Sequence, residues 1–178
     1  MTVSSNTLLN KLTGGDRRSI GQSNQVVALV LKRPTLFPQL MQGLWSSDPL
    51  IRMRAADAAE KVSLRQPERL QPFKTKLLRL LDEATQQELR WHLAQMIPRL
   101  RLSKRDRSRA ASGFRHHLDD QSSIVKTFAL QALTDLAASD GELIPEVEGL
   151  LHKVAESGTP AMKARGRKLL RRLERRND

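Results

Sequence analysis

The chain has 178 residues and a net charge of +12, from 31 basic and 19 acidic side chains. Hydrophobic residues make up 39% of it, enough for a core, whereas aromatic residues make up 3% and Tyr is absent, which favours packed helices over a sheet-rich fold. Because there is no Cys, disulfide frameworks, thiol nucleophiles and thiolate metal sites are excluded. The positive charge indicates an anionic partner and does not choose among nucleic acid, an acidic protein surface and anionic lipid.

The N-terminus predicts a short lead-in followed by a capping helix. Three leucines between residues 8 and 12 indicate a helical turn that Gly14-Gly15 ends. A helix is predicted over 16–32, and residues 1–33 are interpreted as a cap on the exposed end of the first repeat.

The sequence contains no predicted membrane segment. The longest apolar run, 26–31, is far shorter than the ~20 residues that a membrane-spanning helix requires. The N-terminus also lacks a basic stretch followed by an apolar core, so we expect no signal peptide and a cytoplasmic protein.

From residue 34 onward one helical unit recurs. Its clearest copy is DPLIRMRAADAAEKV at 48–62, in which Asp48 is a good N-cap and Pro49 suits the first helical position. Apolar residues on one face recur about every 37 residues. These anchors are Ile51, Ala55, Ala58 and Val62; Leu89, Leu93, Met96 and Leu100; Val125, Ala129, Ala132 and Leu136; and Met162, Gly166, Leu169 and Leu173. An all-helical repeat of this length predicts an α-solenoid.

The repeated unit also resembles a known family. DPLIRMRAADA (48–58) and SSIVKTFALQAL (122–133) are similar to the second helix of HEAT repeats, in which an apolar residue is followed by Arg or Lys and, three residues on, by Ala. The resemblance covers about 34–175. It implies an all-α solenoid of four helical hairpins in one continuous domain, at about 34–66, 67–102, 103–139 and 140–178.

The second helix of each hairpin carries the anchors. These helices are predicted over about 48–65, 85–102, 122–138 and 160–176. Pro98 is predicted to kink the last turn of the second of them. Gly166 stands where the other repeats have larger residues, which indicates either a close neighbouring helix or a less stable last repeat.

A cation follows the first anchor of every repeat. These four form a predicted structural ladder: Arg52, Arg90, Lys126 and Lys163. In HEAT-like stacks this cation pairs within or between repeats, because half-buried charges need partners. The family also favours Asp six residues before the cation; only Asp120 satisfies this, and the equivalents are Ser46, Ala84 and Ser157.

The family implies that the second helices line a concave face, which begins three residues beyond each first anchor. The candidate binding residues on this basic face are Arg54, Lys61, Arg65, Arg99, Phe128, Arg165, Lys168 and Arg172. The simpler interpretation is that these are solvated helix faces. The cluster at 163–176 has eight basic residues against Glu174, and its first cations lie near a helix N-terminus, where cations are disfavoured. It is therefore the better candidate for a phosphate-binding site.

The sequence favours a protein that is not an enzyme. It has no HExxH, Gly-rich phosphate loop or GxSxG, and we expect no metal or cofactor. The leading hypothesis is a HEAT-like binding module or scaffold whose basic concave surface holds an acidic protein or another polyanion. The alternative is a DNA- or RNA-binding protein of the HEAT-like alkylpurine DNA glycosylase type, which resembles this chain in charge and architecture. Asp57 and Asp135 would then be the only carboxylates on the predicted face.

Overall fold

The computed structural model describes residues 7–15 and 19–177, and in this part of the chain the fold is all-α, with no strand. The ten α-helices described are α1 (Thr7–Asn10), α2 (Ser23–Lys32), α3 (Phe37–Gln42), α4 (Pro49–Arg65), α5 (Lys74–Glu83), α6 (Gln87–Met96), α7 (Lys104–His117), α8 (Ser123–Ala137), α9 (Ile144–Ser157) and α10 (Pro160–Asn177). Short 3₁₀ segments join several of them. Over the described residues, no helix combines the length and the apolar character that crossing a bilayer requires.

Local capping chemistry explains where two of the anchor-bearing helices, α4 and α8, begin. The Asp48 carboxylate accepts a hydrogen bond from the Leu50 backbone N–H at 2.8 Å, so α4 starts where the sequence predicts. The Ser122 hydroxyl accepts from the N–H of Val125 and starts α8. Each cap satisfies a backbone donor that the first turn leaves without an intrahelical partner.

Proline and glycine set helix boundaries at three places. The predicted helix over 85–102 ends as an α-helix at Met96 and continues as the 3₁₀ segment Ile97–Arg99, so Pro98 lies in a tighter turn rather than in a kinked α-helix. Proline likewise begins the 3₁₀ segment Pro67–Phe73 ahead of α5. The N-terminal helix was predicted from residue 16, but α2 begins at Ser23 because Gly21 takes a left-handed φ of +55°. Residues 16–18 lie outside the described part of the chain.

The predicted anchors form much of the core. Fourteen of the sixteen are buried, and Ile51 and Met162 are half-buried. At Gly166, an added Cβ would lie 3.3 Å from the carbonyl oxygen of Leu151 and 3.4 Å from the backbone nitrogen of Ala155. The close approach of α9 therefore explains this glycine, which was the first of the two predicted reasons.

The described residues group into two compact units. One unit holds the residues up to Lys74 together with Ala84–Leu100, and the other holds Thr75–Glu83 together with the residues from Arg101. In the first unit α4 packs on α2, α3 and α6; in the second unit α8 packs on α7, α9 and α10. The solenoid arrangement and the four repeat boundaries stay predictions.

Candidate anion-binding groove

The face of α4 that was predicted to bind a partner is covered by the N-terminal part of the chain. Arg54 is only 1% exposed, so its predicted position on an open face is wrong. Its guanidinium donates to main-chain carbonyls, with Nη1 bonded to Leu12, Thr13 and Gly14 at 2.9, 3.3 and 2.6 Å and Nε to Ser19 at 3.0 Å. These bonds compensate a charge that would otherwise be buried at high cost. Arg54 therefore holds the N-terminal segment and does not face a partner.

Two further cations of the predicted face are engaged inside the first unit. Lys61 Nζ lies 2.8 Å from the carboxylate of Asp57 and 3.0 Å from the Asn24 side-chain oxygen on α2. Asp57 also accepts a hydrogen bond from the Ser23 hydroxyl. Asp57 lies one turn before Lys61 on α4, whereas Asn24 and Ser23 come from α2, which packs against α4 and which the helical periodicity of α4 alone does not show.

Arg99, in the 3₁₀ segment that follows α6, is engaged in the same way. It pairs with the Glu60 carboxylate and donates to the Glu60 carbonyl and the Ser63 hydroxyl, both at 2.8 Å. His92 is 8% exposed beside this cluster, and its Nδ1 has no hydrogen-bond partner among the described residues. Burial lowers the pKa of His92, against the opposing effect of Asp57 and Glu60.

The cations of α10 are arranged differently, because they line an open groove in the second unit. The groove has a volume of about 720 Å³. Its lining residues are Gln131 from α8 and Arg165, Lys168, Leu169, Arg171, Arg172 and Arg175 from α10. The sequence analysis named Arg165, Lys168 and Arg172, and the structure brings all three together. It missed Arg171 and Arg175 as site residues, although both belong to the dense basic cluster that it recognised.

One acid enters this groove region. Asp135 on α8 lies 2.7 Å from Nη2 of Arg172, and the Gln131 side-chain amide donates to the same carboxylate oxygen at 3.1 Å. The other four cations line the groove and have no hydrogen bond or ion pair with any residue that the structure describes: Arg165, Lys168, Arg171 and Arg175. A groove with five cations and one neutralised pair is a strongly positive site.

The remaining candidates lie outside the groove. Arg65 is exposed at the end of α4, and Phe128 is half-buried on α8. Neither lines the groove on α10.

Two members of the predicted ladder make the same contact. Arg52 Nη1 donates to the carbonyl of Ser46 at 2.7 Å, and Arg90 Nε donates to the carbonyl of Ala84 at 2.7 Å. Both acceptors lie six residues before the cation, at the position where the HEAT family favours Asp. In both contacts the acceptor is a main-chain carbonyl and not a carboxylate. Arg52 also donates to the side chain of Gln86 at 3.0 Å, which ties the start of α4 to the start of α6.

No group of His, Asp and Glu suited to holding a metal ion occurs within the described residues. Both carboxylates on the predicted face, the candidates for the glycosylase alternative, are engaged by the protein's own groups, Asp57 by Lys61 and Asp135 by Arg172. A carboxylate held in this way is less available as a general base or nucleophile.

The comparisons with known proteins add no family: no family model, curated protein or solved structure matches the chain.

Proposed function

We propose that the protein is a non-enzymatic, HEAT-like binding module that holds a polyanionic partner in the groove on α10. The observation that supports this proposal is the set of four groove cations that have no partner among the residues described: Arg165, Lys168, Arg171 and Arg175. Like charges at helical spacing repel one another, so such a cluster lowers the stability of the isolated helix. An anionic ligand would relieve that repulsion.

The helix dipole accounts for only part of the cluster. Cations in the last turn of a helix are favourable, which applies to Arg175 and to a lesser extent Arg172. Arg165 and Lys168 lie in the first half of α10, where the dipole gives no such benefit. Their placement in a groove is therefore better explained by a ligand than by helix stability.

The glycosylase alternative has weaker support. It requires a free carboxylate in the site, and Asp135, the acid beside the groove, is paired with Arg172. Binding of nucleic acid without catalysis remains within the proposal, since a phosphate backbone is a polyanion.

The proposal is tested by fluorescence anisotropy with a labelled duplex of about 20 base pairs and with labelled poly-glutamate, at low and moderate salt. The variant Arg165→Glu/Lys168→Glu reverses two groove cations. It is expected to lose most of the affinity for whichever polyanion the wild type binds, and binding is expected to fall steeply with salt.

The matched control is Lys76→Glu/Arg105→Glu, which changes the net charge equally at two exposed positions of the second unit that do not line the groove. If both double variants weaken binding equally, the charge acts diffusely and the groove is not the site. If the wild type binds neither probe at low salt, the proposed function is wrong.

A further inference from the structure

The Asp135 carboxylate binds Arg172 from within the chain, at the position where an external anion would bind this groove cation. The two side chains are 26% and 49% exposed, and Nη2 lies 2.7 Å from Oδ1. Ion pairs this exposed contribute little to stability, because water screens them and both side chains lose freedom when they pair. A bound anion can therefore take the place of Asp135 at little cost to the fold.

The identity of Asp135 bears on the kind of anion that would replace it. A carboxylate from an acidic protein would make the same bond that Asp135 already makes from within the chain, where its effective concentration is high. Exchanging Asp135 for the carboxylate of an acidic protein would therefore gain little binding free energy. It would also leave two carboxylates close together, and they repel each other. A nucleic-acid duplex carries one charge per roughly 1.7 Å of its axis and releases condensed counterions when cations bind it. This gain in binding free energy comes from every groove cation that contacts the duplex, and not from Arg172 alone.

The length and composition of the groove favour a duplex backbone. From Arg165 to Arg175, α10 rises by about 15 Å, so its cations can meet several phosphates of a duplex at once. Arg suits this role because its planar guanidinium binds phosphate oxygens bidentately. None of the groove's described lining residues is aromatic, so the groove offers no stacking platform of the kind that holds the bases of single strands.

Resting on the function proposed above, we infer that the groove takes the phosphodiester backbone of a double-stranded nucleic acid, and that Asp135 is displaced from Arg172 when it enters. Asp135 is then a specificity-determining residue. It weakens binding of all anions at Arg172 and penalises carboxylates most.

Replacing Asp135 tests this inference. In Asp135→Asn the guanidinium of Arg172 is free before binding, so affinity for the duplex is expected to rise about threefold or more at low salt. The slope of log affinity against log salt is expected to stay close to that of the wild type, because the same phosphate contacts form in both proteins once Asp135 has been displaced.

The matched control is Asp82→Asn. Asp82 pairs with Arg109 at 2.7 Å, the two are 43% and 47% exposed, and neither lines the groove. Asp82→Asn removes the same charge from a similar surface ion pair of the second unit. Any rise in duplex affinity that it causes is therefore due to the change in net charge alone. Circular dichroism and thermal melting check that both variants fold.

A double-variant cycle gives an independent readout. Arg172→Gln is expected to cost little affinity in the wild type, where Arg172 is already occupied, and to cost as much as Arg165→Gln when Asp135 is Asn. If Asp135→Asn and Asp82→Asn have equal effects, or if the cycle shows no coupling, displacement of Asp135 is wrong while the groove stays the binding site.

The class of anion is decided by comparing the affinities of the wild-type 178-residue chain for different probes. Duplex is expected to bind at least tenfold more tightly than poly-glutamate at equal charge concentration, and more tightly than the matching single strand. Equal or tighter binding of poly-glutamate overturns the duplex assignment and favours an acidic protein. Tighter binding of the single strand overturns it as well. Absence of binding by every probe refutes the proposed function itself.

Discussion

Gly21 lies against the guanidinium of Arg54, so close that a Cβ on Gly21 would be 2.8 Å from Cζ and 2.9 Å from Nη1. The φ of Gly21 is +55°, a conformation that side chains with a Cβ rarely adopt. Two independent reasons, backbone strain and a steric clash, therefore require glycine here. The buried position of Arg54 therefore depends on a glycine in the turn that precedes α2.

The first prediction follows from this contact. Gly21→Ala is expected to lower the free energy of unfolding by about 2 kcal/mol, from left-handed strain and overpacking against Arg54. Urea denaturation measures it. Gly141→Ala is the control, because a Cβ at Gly141 meets nothing within 4 Å and its φ is not positive. Equal changes in the free energy of unfolding for Gly21→Ala and Gly141→Ala would contradict the close contact between Gly21 and Arg54.

The second prediction concerns two glycines inside helices. A Cβ at Gly113 in α7 would lie 2.7 Å from Cδ2 of Leu81, whereas a Cβ at Gly149 in α9 would meet nothing within 4 Å. Gly149→Ala is expected to raise stability by about 0.5–1 kcal/mol through helix propensity. Gly113→Ala is expected to lower it by about 1–2 kcal/mol, since the clash exceeds that gain. Thermal melting of both variants tests whether the two changes in stability have opposite signs. A higher melting temperature for both variants would show that Leu81 moves aside freely.

The third prediction concerns the ladder. Arg52 donates to the carbonyls of Ser46 and Ser47, at 2.7 and 3.2 Å, and to Gln86. Arg52→Met keeps the apolar stem and removes these donors, which is expected to cost roughly 1–3 kcal/mol of stability. Arg105→Met, at an exposed position, is expected to change stability by less than about 0.5 kcal/mol. Equal unfolding midpoints for the two variants would show that Arg52 does not support the turn.

The fourth prediction is a pH dependence at His92. Burial lowers its pKa from the ordinary 6.5; Asp57, Glu60 and Glu88 oppose this effect and Lys61 reinforces it. The unfolded chain therefore binds a proton at a higher pH than the folded protein does. The stability that comes from the neutral ring is complete above 6.5 and is lost as the pH falls below that value.

The measurement is urea denaturation at about pH 7.5 and about pH 5.5. Wild type is expected to lose more stability between these values than His92→Gln, which cannot take up the proton. His152→Gln, at an exposed position on α9, serves as the control and is expected to behave as wild type does. An equal loss in wild type and His92→Gln would show that the buried ring does not titrate in this range.

Much of the local structure follows from residues that act on their near neighbours. Asp48 and Pro49 start α4 because capping and a missing N–H are properties of the first turn alone. The buried anchors follow from the same logic, since a helical period places them on one face whatever that face packs against. The basic groove was predictable to the extent that all its cations belong to one helix, α10.

Contacts between distant parts of the chain decided the rest. Arg54 and Arg165 both lie three residues beyond a first anchor, and the periodicity gave them the same predicted place on an open face. The N-terminal segment covers Arg54, because its carbonyls are held where they can accept the guanidinium's hydrogen bonds, whereas Arg165 stays in an open groove. From the sequence alone, helical periodicity determined which side of its helix each of these two cations occupies. Only the tertiary structure decided that Arg54 and Arg172 are already bound by the protein, because the groups that bind these two cations lie tens of residues away along the chain.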